Sequence, residues 1–434
     1  MDSVTEATGE KASRQSWRAR PDNRMRLVRE ALVTSGSAVI STALSGISSI
    51  VLAKALGVEL RGVTSALLSV GVLCGTFGTL GLPATASYAL ARAPAEHRPR
   101  IAQAMLIVGV ALALVAGGVC LLIAAATQPA SAGRLALVAT AGVAVAIVVQ
   151  NLMQQLVLTG ASVGWYGGMQ IAPAFCVLIA VILAAALGLL SVTATITISG
   201  GGAGVGAALG AVALVRHGSL GRTCNVDGWR EVRRTVRPHV RFALMLFVIT
   251  SLAQVVQRLD ILLVEQLRGA RDAGLYTVAA QLASFVLVVP AGLGALVFRR
   301  GARSETDHWG DAMNAVLLTA LVTVTAAGVL ALVAGSMIPW LVGRQYAGSV
   351  TPLRLLLPGF VLLGLQSVVS NYIASRDQAS TVLAAWLITA VVGIALDIVL
   401  IPVGGIVAAS LVSSFSYLIV LVMHVRALRA LRPS

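Results

Sequence analysis

Gly57-Val-Glu-Leu-Arg-Gly62 and Gly269-Ala-Arg-Asp-Ala-Gly274 share the same Gly-x4-Gly spacing, and each follows a long apolar stretch. The two segments lie about half a chain apart in a sequence of 434 residues. Apolar stretches of about 20 residues predict membrane-spanning helices. Because the same pattern of a span followed by this turn occurs twice, we predict a protein built from two similar halves.

The composition also favours a membrane protein. The chain is 57% hydrophobic and 11% charged, with a mean hydropathy of +0.90. Soluble domains carry about 25% charged residues, so an ordinary soluble domain is excluded. We predict an all-α polytopic membrane protein.

Hydrophobic stretches predict about twelve transmembrane helices. Pro83, Pro173, Pro290 and Pro358 lie inside them and are the expected kink sites. The predicted spans are residues 28–55, 63–91, 101–126, 134–159, 165–189, 192–215, 240–267, 273–298, 311–342, 351–374, 379–401 and 404–426.

The correspondence between the halves extends beyond the glycines. Spans two and eight each contain a proline and end in arginine. Span four reads Gln150-Asn151-x-x-Gln154-Gln155, and span ten reads Gln366-Ser-x-x-Ser-Asn371 at the matching place. Six spans per unit is an even number, so the two copies should have the same orientation in the membrane.

This pattern divides the chain into two pseudo-symmetric six-helix lobes, residues 27–215 and 240–426. A basic, cytoplasmic linker, 216–239, joins them. Residues 1–26 are expected to form a disordered basic cytoplasmic tail, and residues 427–434 a second cytoplasmic tail.

Charge placement predicts the topology. The net charge is +15, but the basic residues lie in short segments between spans, as the positive-inside rule requires, rather than in a nucleic-acid-binding stripe. With the N-terminus inside, 24 Lys and Arg fall on the cytoplasmic side and seven outside. We therefore expect both termini in the cytoplasm, contact of the basic linker with anionic lipid, and no nucleic-acid partner.

No catalytic or cofactor motif is found. The four cysteines have no CxxC spacing, and the chain contains no GxxxxGK[ST] segment for ATP. It carries no nucleophile motif. We expect no enzyme activity, no catalytic residue, no cofactor and no metal site.

Three segments resemble the polysaccharide transporter (Wzx-like) flippases of the multidrug/oligosaccharidyl-lipid/polysaccharide exporter superfamily. They are Leu56-Gly-Val-Glu-Leu-Arg-Gly62, then Leu259 to Gly269 with Ala273-Gly-Leu-Tyr-Thr-Val-Ala279, and Asp397-Ile-Val-Leu-Ile-Pro-Val-Gly-Gly-Ile-Val-Ala-Ala-Ser410. Asp397 stands where many members of the family have asparagine. The resemblance covers nearly the whole chain from about residue 30.

The resemblance implies a flippase in the cell membrane that carries a polyprenyl-diphosphate-linked oligosaccharide outward by alternating access, for cell-surface polysaccharide synthesis. It also implies membrane lipids as partners, a polysaccharide polymerase or glycosyltransferases as candidate partners, and a monomer. The alternatives are a multidrug/cation antiporter, a lipid II flippase, and a non-transporting scaffold for glycan assembly. Lipid II flippases usually have fourteen spans, whereas this chain has room for twelve. The absence of Asp and Glu within the cores of spans one to six weakens the antiporter interpretation.

Span seven carries most of the polar residues inside a span. Its polar positions fall within a sector of about 120° on one helix face, which should meet a cavity or another helix. Arg258 is the only basic residue placed inside a span rather than at its end, and with Gln254 and Gln257 it is a candidate to bind the cargo's diphosphate. The alternative role of Arg258 is a structural ion pair. The stripe comprises Thr250, Ser251, Gln254, Gln257, Arg258 and Glu265.

Two carboxylates are candidates for ion coupling. Asp260 lies about 200° around the helix from Arg258, so it should pair with another helix or titrate during transport. Asp397, before Pro402, is expected near the outer end of span eleven, where interfacial solvation explains it. Coupling should depend more on Asp260, because it is placed deeper.

The remaining candidates are polar residues of span four, span ten and the outer mouth. Gln150, Asn151, Gln154 and Asn371 would either contact sugar hydroxyls or bond neighbouring helices. Lys54 and Arg61, with Glu59, would either attract an anionic cargo or form a solvated loop.

Overall fold

The protein, seen in a computed structural model, is helical almost throughout the residues that the structure describes. These are residues 21–94, 96–127, 133–160, 162–218, 240–288, 290, 309–374 and 379–430. The first half contains α1 (Pro21–Gly78), α2 (Leu82–Arg92), α3 (Arg98–Thr127), α4 (Arg134–Gly160), α5 (Val163–Ala186) and α6 (Val192–Arg216). The second half contains α7 (Val240–Arg268), α8 (Ala270–Ser284), α9 (Trp309–Leu341), α10 (Val350–Ala374) and α11 (Ala379–Ala430), with 3-10 helices at Phe285–Leu287 and Arg344–Ser349.

Two of these helices each correspond to two predicted spans. The backbone of α1 is non-helical at Gly57 (φ 74°, ψ 175°), and that of α11 at Gly405 (φ 57°, ψ −143°). Their apolar parts, Gly36–Gly78 and Ser380–Arg429, contain 43 and 50 residues, enough for two crossings each. With α8 and its 3-10 extension, the helices of the described residues match the twelve predicted spans and confirm a multi-pass, all-α membrane protein.

Every connection at one end of the bundle contains a glycine with a positive φ. Each of the six connections at the predicted outer end contains such a residue, a conformation that glycine adopts without a Cβ clash. Six equivalent turns are what two copies of a three-hairpin unit require. They are Gly57, Gly133, Gly188, Gly269, Gly343 and Gly405.

Span two is broken rather than kinked. Helix α1 ends at Gly78, Leu80 and Gly81 both have a positive φ, and Pro83 lies in the first turn of α2. Proline suits the first helical turn because its missing N–H has no partner there in any case. Pro173 and Pro358, by contrast, lie inside the continuous helices α5 and α10.

The two halves pack around separate cores. In the first half, Leu152, Met153 and Met169 form a buried cluster with α2, α3 and α6. Close approach there depends on small residues, since a Cβ at Gly210 would lie 2.7 Å from Met169 Cε and 2.8 Å from Met153 Cβ. The second half has its own larger core, which Ala53 and Val58 join from the bend of α1. The bend of α1 is therefore packed against the opposite lobe.

Several predictions concern residues outside those described. Residues 1–20 of the predicted tail, 219–239 of the linker, 291–308 with their arginines, Arg376 and 431–434 belong to this group. The domain boundaries and the orientation of the termini stay predictions.

Candidate functional site

The two Gly-x4-Gly segments contact each other. A Cβ on Gly62 would lie 1.8 Å from the carbonyl oxygen of Ala270, and a Cβ on Gly274 would lie 2.0 Å from that of Val58. Each contact is the counterpart of the other under the pseudo-twofold relation between the halves. We call these four residues the glycine contact; it holds the two lobes backbone to backbone at the predicted outer end.

Two hydrogen bonds strengthen the junction of the lobes at the same end. The Tyr346 hydroxyl donates to the carbonyl oxygen of Ala53 over 2.9 Å, and Gln266 Nε2 donates to that of Thr127 over 2.6 Å. Tyr346 is fully buried. The predicted outer end is therefore closed in this arrangement.

Arg61 lies behind the glycine contact, not in a solvated loop. Its side chain is only 5% exposed, its Nη2 donates to Ser49 Oγ over 2.6 Å, and its Nε has no hydrogen-bond partner. The loop interpretation is wrong because residues 58–62 continue as helix directly after Gly57, which turns Arg61 inward. Lys54 and Glu59 are exposed at this end, as predicted.

Arg258 faces the opposite lobe. With about 100° per residue, it shares a helix face with Phe247, about 20° away, and Leu262, about 40° away. Phe247 makes an edge-to-face contact with Phe77 of α1, and Leu262 packs against the core of the first half. The arginine therefore lies where α7 meets the second half of α1, which we call the α1–α7 seam.

The guanidinium of Arg258 has no carboxylate partner within ion-pair distance among the described residues. Its Nε donates to Gln254 Oε1 over 3.3 Å, and its side chain is partly exposed. The only ion pair found in the described part of the chain is Arg268 with Asp272. The structural ion pair considered from the sequence is thus not formed here.

The opposite seam has no charge at the matching place. Gly46 precedes Gly57 by eleven residues, as Arg258 precedes Gly269, so the two positions are equivalent. Phe285 fills the space at Gly46, where a Cβ would lie 2.0 Å from its ring. This α1–α8 seam is closed by an aromatic ring, whereas the α1–α7 seam contains an arginine.

Asp260 points the other way, into the second lobe. The carboxylate is 5% exposed and accepts hydrogen bonds from the Tyr276 hydroxyl (2.5 Å), Ser413 Oγ (3.1 Å) and the Ile261 N–H (2.7 Å). These bonds join α7, α8 and the second half of α11. Asp260 is thus the centre of a buried polar cluster, and nothing in the sequence had singled out Tyr276 or Ser413.

Asp397 is buried as well, so its assignment to the membrane interface is wrong. It is 7% exposed, and its Oδ1 has no hydrogen-bond partner. Helix α11 continues through Pro402 to Gly405, which places Asp397 about 12 Å inward of the turn. Asp260 lies about 14 Å inward of Gly269, so the two carboxylates have similar depth and the expected difference in depth is absent.

The predicted polar stripe of α7 does not face one cavity. Thr250 is exposed, whereas Ser251 and Glu265 are buried. Ser251 Oγ has no hydrogen-bond partner, and Glu265 Oε2 accepts from Gln266 over 2.8 Å. Gln257 donates to the carbonyl oxygen of Ala253. Gln254 and Arg258 bond each other and are both partly exposed.

The amide side chains divide between interhelical and local contacts. Gln155 accepts from Ser87 Oγ over 2.9 Å, and Gln366 lies 3.4 Å from His424 Nε2, so both join helices within one lobe. Asn371 Nδ2 donates to Ser367 O of its own helix over 2.7 Å.

Among the described residues, three candidate amides of α4 make no hydrogen bond. Gln150, Asn151 and Gln154 are all partly exposed. Gln150 lies against α6, because a Cβ on Gly206 would be 2.9 Å from its Nε2. Asn151 and Gln154 lie within about 40° of Ile147, which packs near Gly75 of α1.

Comparisons with known proteins identify the family of the chain. The family described as "Polysaccharide biosynthesis protein" matches residues 27–298, more than half of the chain. No curated protein matches the sequence significantly.

Solved structures of flippases and transporters share the fold. The lipid II flippase MurJ in an inward closed conformation is 13% identical, with a TM-score of 0.73 over 91% of this chain and 87% of that chain. A multidrug resistance MATE family transporter of the MOP superfamily, inward-facing, is 13% identical, with a TM-score of 0.67 over 92% and 98%. The MATE multidrug transporter DinF-BH is 15% identical, with a TM-score of 0.67 over 95% and 96%. At these identities the likeness establishes the fold.

Proposed function

We propose, because the chain belongs to the polysaccharide biosynthesis protein family, that it moves a polyprenyl-diphosphate-linked oligosaccharide from the inner to the outer leaflet. It is a multi-pass membrane protein with the fold of the MOP superfamily of flippases and transporters. We place it in the cell membrane with both termini in the cytoplasm. Polymerases or glycosyltransferases that make and use the cargo are the proposed enzyme partners.

The observation that carries the proposal is the arginine in the α1–α7 seam. A guanidinium inside a membrane span is costly unless it is paired or solvated, and among the described residues no carboxylate lies within ion-pair distance of it; Asp260 of the same helix acts on it only through space. Its planar fork suits a diphosphate, which accepts two parallel N–H bonds. Arg258 would therefore hold the diphosphate between the lobes, and Gln254 and Gln257 lie on neighbouring turns.

Sugar contacts are assigned to the amides that have no bond of their own. Asn151 and Gln154 of α4 are partly exposed on the side of α1, and we propose that they meet sugar hydroxyls. Gln150 and Asn371 are weaker candidates, since the first lies against α6 and the second bonds its own backbone.

Release to the outside requires the glycine contact to separate. Lys54 is exposed at that end and would attract the anionic head group. Arg61 is covered while the contact is closed, so it would reach the cargo only after the lobes part.

Coupling to a cation gradient is assigned to the second lobe. Asp260 and Asp397 are both buried at similar depth in the second lobe, and Asp397 Oδ1 has no hydrogen-bond partner. Two carboxylates in a low-dielectric interior need a proton or a metal cation between them. We propose that this pair binds the driving cation.

Export of a cationic drug is the alternative function. The buried carboxylates of the described residues, Asp260, Glu265 and Asp397, all lie in the second lobe, while Glu59 and Glu96 of the first lobe are exposed. A cationic cargo in the α1–α7 seam would be repelled by Arg258. Arg258 thus favours an anionic cargo.

Flipping in proteoliposomes tests the function. The parent should move a labelled polyprenyl-diphosphate oligosaccharide between leaflets and should not be inhibited by cationic dyes. Arg258→Ala should nearly abolish flipping and Arg258→Lys should impair it partly, because lysine keeps the charge without the fork. Arg241→Ala, an exposed arginine of the same helix, is the control and should flip normally.

Two outcomes would reject the assignment. Normal cargo binding and flipping by folded Arg258→Ala protein would remove the phosphate site. Dye export without glycolipid flipping by the parent would establish the alternative function.

A further inference from the structure

An apolar cleft lies beside Arg258. It has a volume of about 480 Å³ and is formed by the second half of α1, by α3 and by α7. Leu73 and Phe77 line it from α1, and Leu259 and Leu262 from α7. Since Leu259 follows Arg258 directly and Leu262 is one turn away, the cleft and the guanidinium share one seam.

The cleft is elongated along the membrane normal. Its residues on α3 run from Leu112 to Ile123, a length of about 16 Å along one helix face. Several of them are exposed, so the cleft is open to the bilayer. Such a shape fits a hydrocarbon chain better than a compact head group.

A strained residue forms one edge of the cleft. Leu80 is the one non-glycine residue with a positive φ (44°) in the described part of the chain, and its side chain lines the cleft. It lies in the break between α1 and α2. Strained backbone of this kind is concentrated at binding and switching sites.

The pseudo-symmetric groove on the other lobe provides a comparison. That groove lies between Phe285 and α9, has a volume of about 680 Å³ and is also apolar. Its seam contains Gly46 and the Phe285 ring instead of an arginine. Volume and apolarity therefore do not distinguish the two sites; the adjacent cation does.

We propose that the cleft between α1, α3 and α7 binds the isoprenoid tail of the cargo while Arg258 holds its diphosphate. This inference rests on the proposed function. The tail enters and leaves through the α1–α7 seam, and the α1–α8 seam stays closed by Phe285. The head group and the tail of one molecule are thus bound at adjacent places on α7.

Photocrosslinking at two valines of similar exposure, one in each groove, tests the inference. Val115 in the cleft and Val329 in the comparison groove are the same residue type and are 62% and 56% exposed. A photoreactive amino acid at each position is irradiated in proteoliposomes with radiolabelled polyprenyl diphosphate. Labelling at 115 should exceed labelling at 329 severalfold and should fall when unlabelled polyprenyl diphosphate, but not excess phospholipid, is added.

Bulky variants distinguish binding of the tail from binding of the diphosphate. Val115→Trp should weaken binding of polyprenyl diphosphate severalfold and leave binding of a short, water-soluble prenyl diphosphate unchanged, while Val329→Trp should change neither. Equal labelling at both positions, or labelling suppressed by phospholipid, would overturn the tail site and leave the flippase proposal standing. A parent protein that binds no polyprenyl diphosphate at all would overturn both.

Discussion

The two lobes share their turns but not their polar interiors. Gly57 and Gly269 have nearly the same backbone conformation, with φ of 74° and 90° and ψ of 175° and 170°. Asp260, nine residues before Gly269, corresponds to Ser48, whose hydroxyl donates to Leu44 O of its own helix. The shared framework is thus the part that closes the molecule, and the difference lies in charge.

The partners of Asp260 differ in the same way. Tyr276 corresponds to Thr64, which bonds its own helix, and Ser413 to the fully buried Ile196. Arg258 corresponds to Gly46. Every polar residue assigned to ion or phosphate binding inside the second lobe therefore has a neutral, locally satisfied or apolar counterpart in the first.

After the loss of Arg258, breaking the shared framework should have the largest effect. A methyl group at Gly62 would overlap the carbonyl oxygen of Ala270, which is backbone and cannot rotate away. Overpacking costs typically ~1–3 kcal/mol, and each ~1.4 kcal/mol is tenfold in an equilibrium. Gly62→Ala and Gly274→Ala should therefore each slow flipping about tenfold or more.

The matched control for the glycine contact is Gly142→Ala. A Cβ there meets no atom within 4 Å, so flipping should stay normal. Parent-like rates in Gly62→Ala would mean that the lobes close without this contact.

The polar cluster of the second lobe should show the next largest effect. Asp260→Ala removes the acceptor that the buried Tyr276 and Ser413 hydroxyls share, so that only one of the two can donate to the other, which costs ~1–3 kcal/mol. Ser48→Ala, at the equivalent position, should cost much less, because the lost bond is local. Thermal unfolding of the two purified variants measures this difference.

Conservative variants distinguish an effect on cation coupling from an effect on stability. Asp260→Asn and Asp397→Asn keep the side-chain volume but remove a charge, so both should reduce gradient-driven flipping more than they reduce thermal stability. Because the two residues have similar depth, we expect comparable losses. Flipping by both variants that still responds fully to the gradient would place the cation elsewhere.

Replacing Arg61 should have a smaller effect than replacing Arg258. The Nε of Arg61 is buried without a hydrogen-bond partner, so Arg61→Met removes an unsatisfied group as well as one bond to Ser49. Replacing a buried charge by an apolar side chain of similar volume is often neutral or stabilising. Arg61→Met should therefore keep or raise thermal stability and should slow flipping less than Arg258→Met does.

Local sequence predicts the helices well, because a span depends mainly on the apolarity and length of one segment. The Gly-x4-Gly repeat predicted two similar lobes, but not that the two copies contact each other, which depends on how the lobes meet. The burial of Arg61 depends on helix resuming at Val58, and that of Asp397 on helix continuing past Pro402. Neither feature is visible in hydropathy.

For the candidate site, the sequence predicted relations between residues of α7 but not their contacts with other helices. The angle between Arg258 and Asp260 predicted that the two would not pair directly, since helix geometry is regular, and Asp260 bonds Tyr276 and Ser413 instead. The partners of Asp260 were missed because Ser413 lies 153 positions along the chain and hydroxyls are common in spans. Contacts of that separation follow from the fold and not from a local pattern.

The smallest expected effect concerns Gln155 and Asn371, which occupy matching places in spans four and ten. Gln155 bonds Ser87 on another helix, whereas Asn371 bonds the backbone of its own helix. An interhelical hydrogen bond in a membrane protein contributes about 0.6 kcal/mol on average, and the local bond of Asn371 should contribute less. Gln155→Ala should thus lower the free energy of unfolding more than Asn371→Ala, by at most about 0.6 kcal/mol, with flipping near normal in both. Reversible unfolding in detergent measures the difference. A larger loss for Asn371→Ala, or a loss of cargo binding without a loss of stability, would show that Asn371 contacts the sugar and that span ten takes part in recognition.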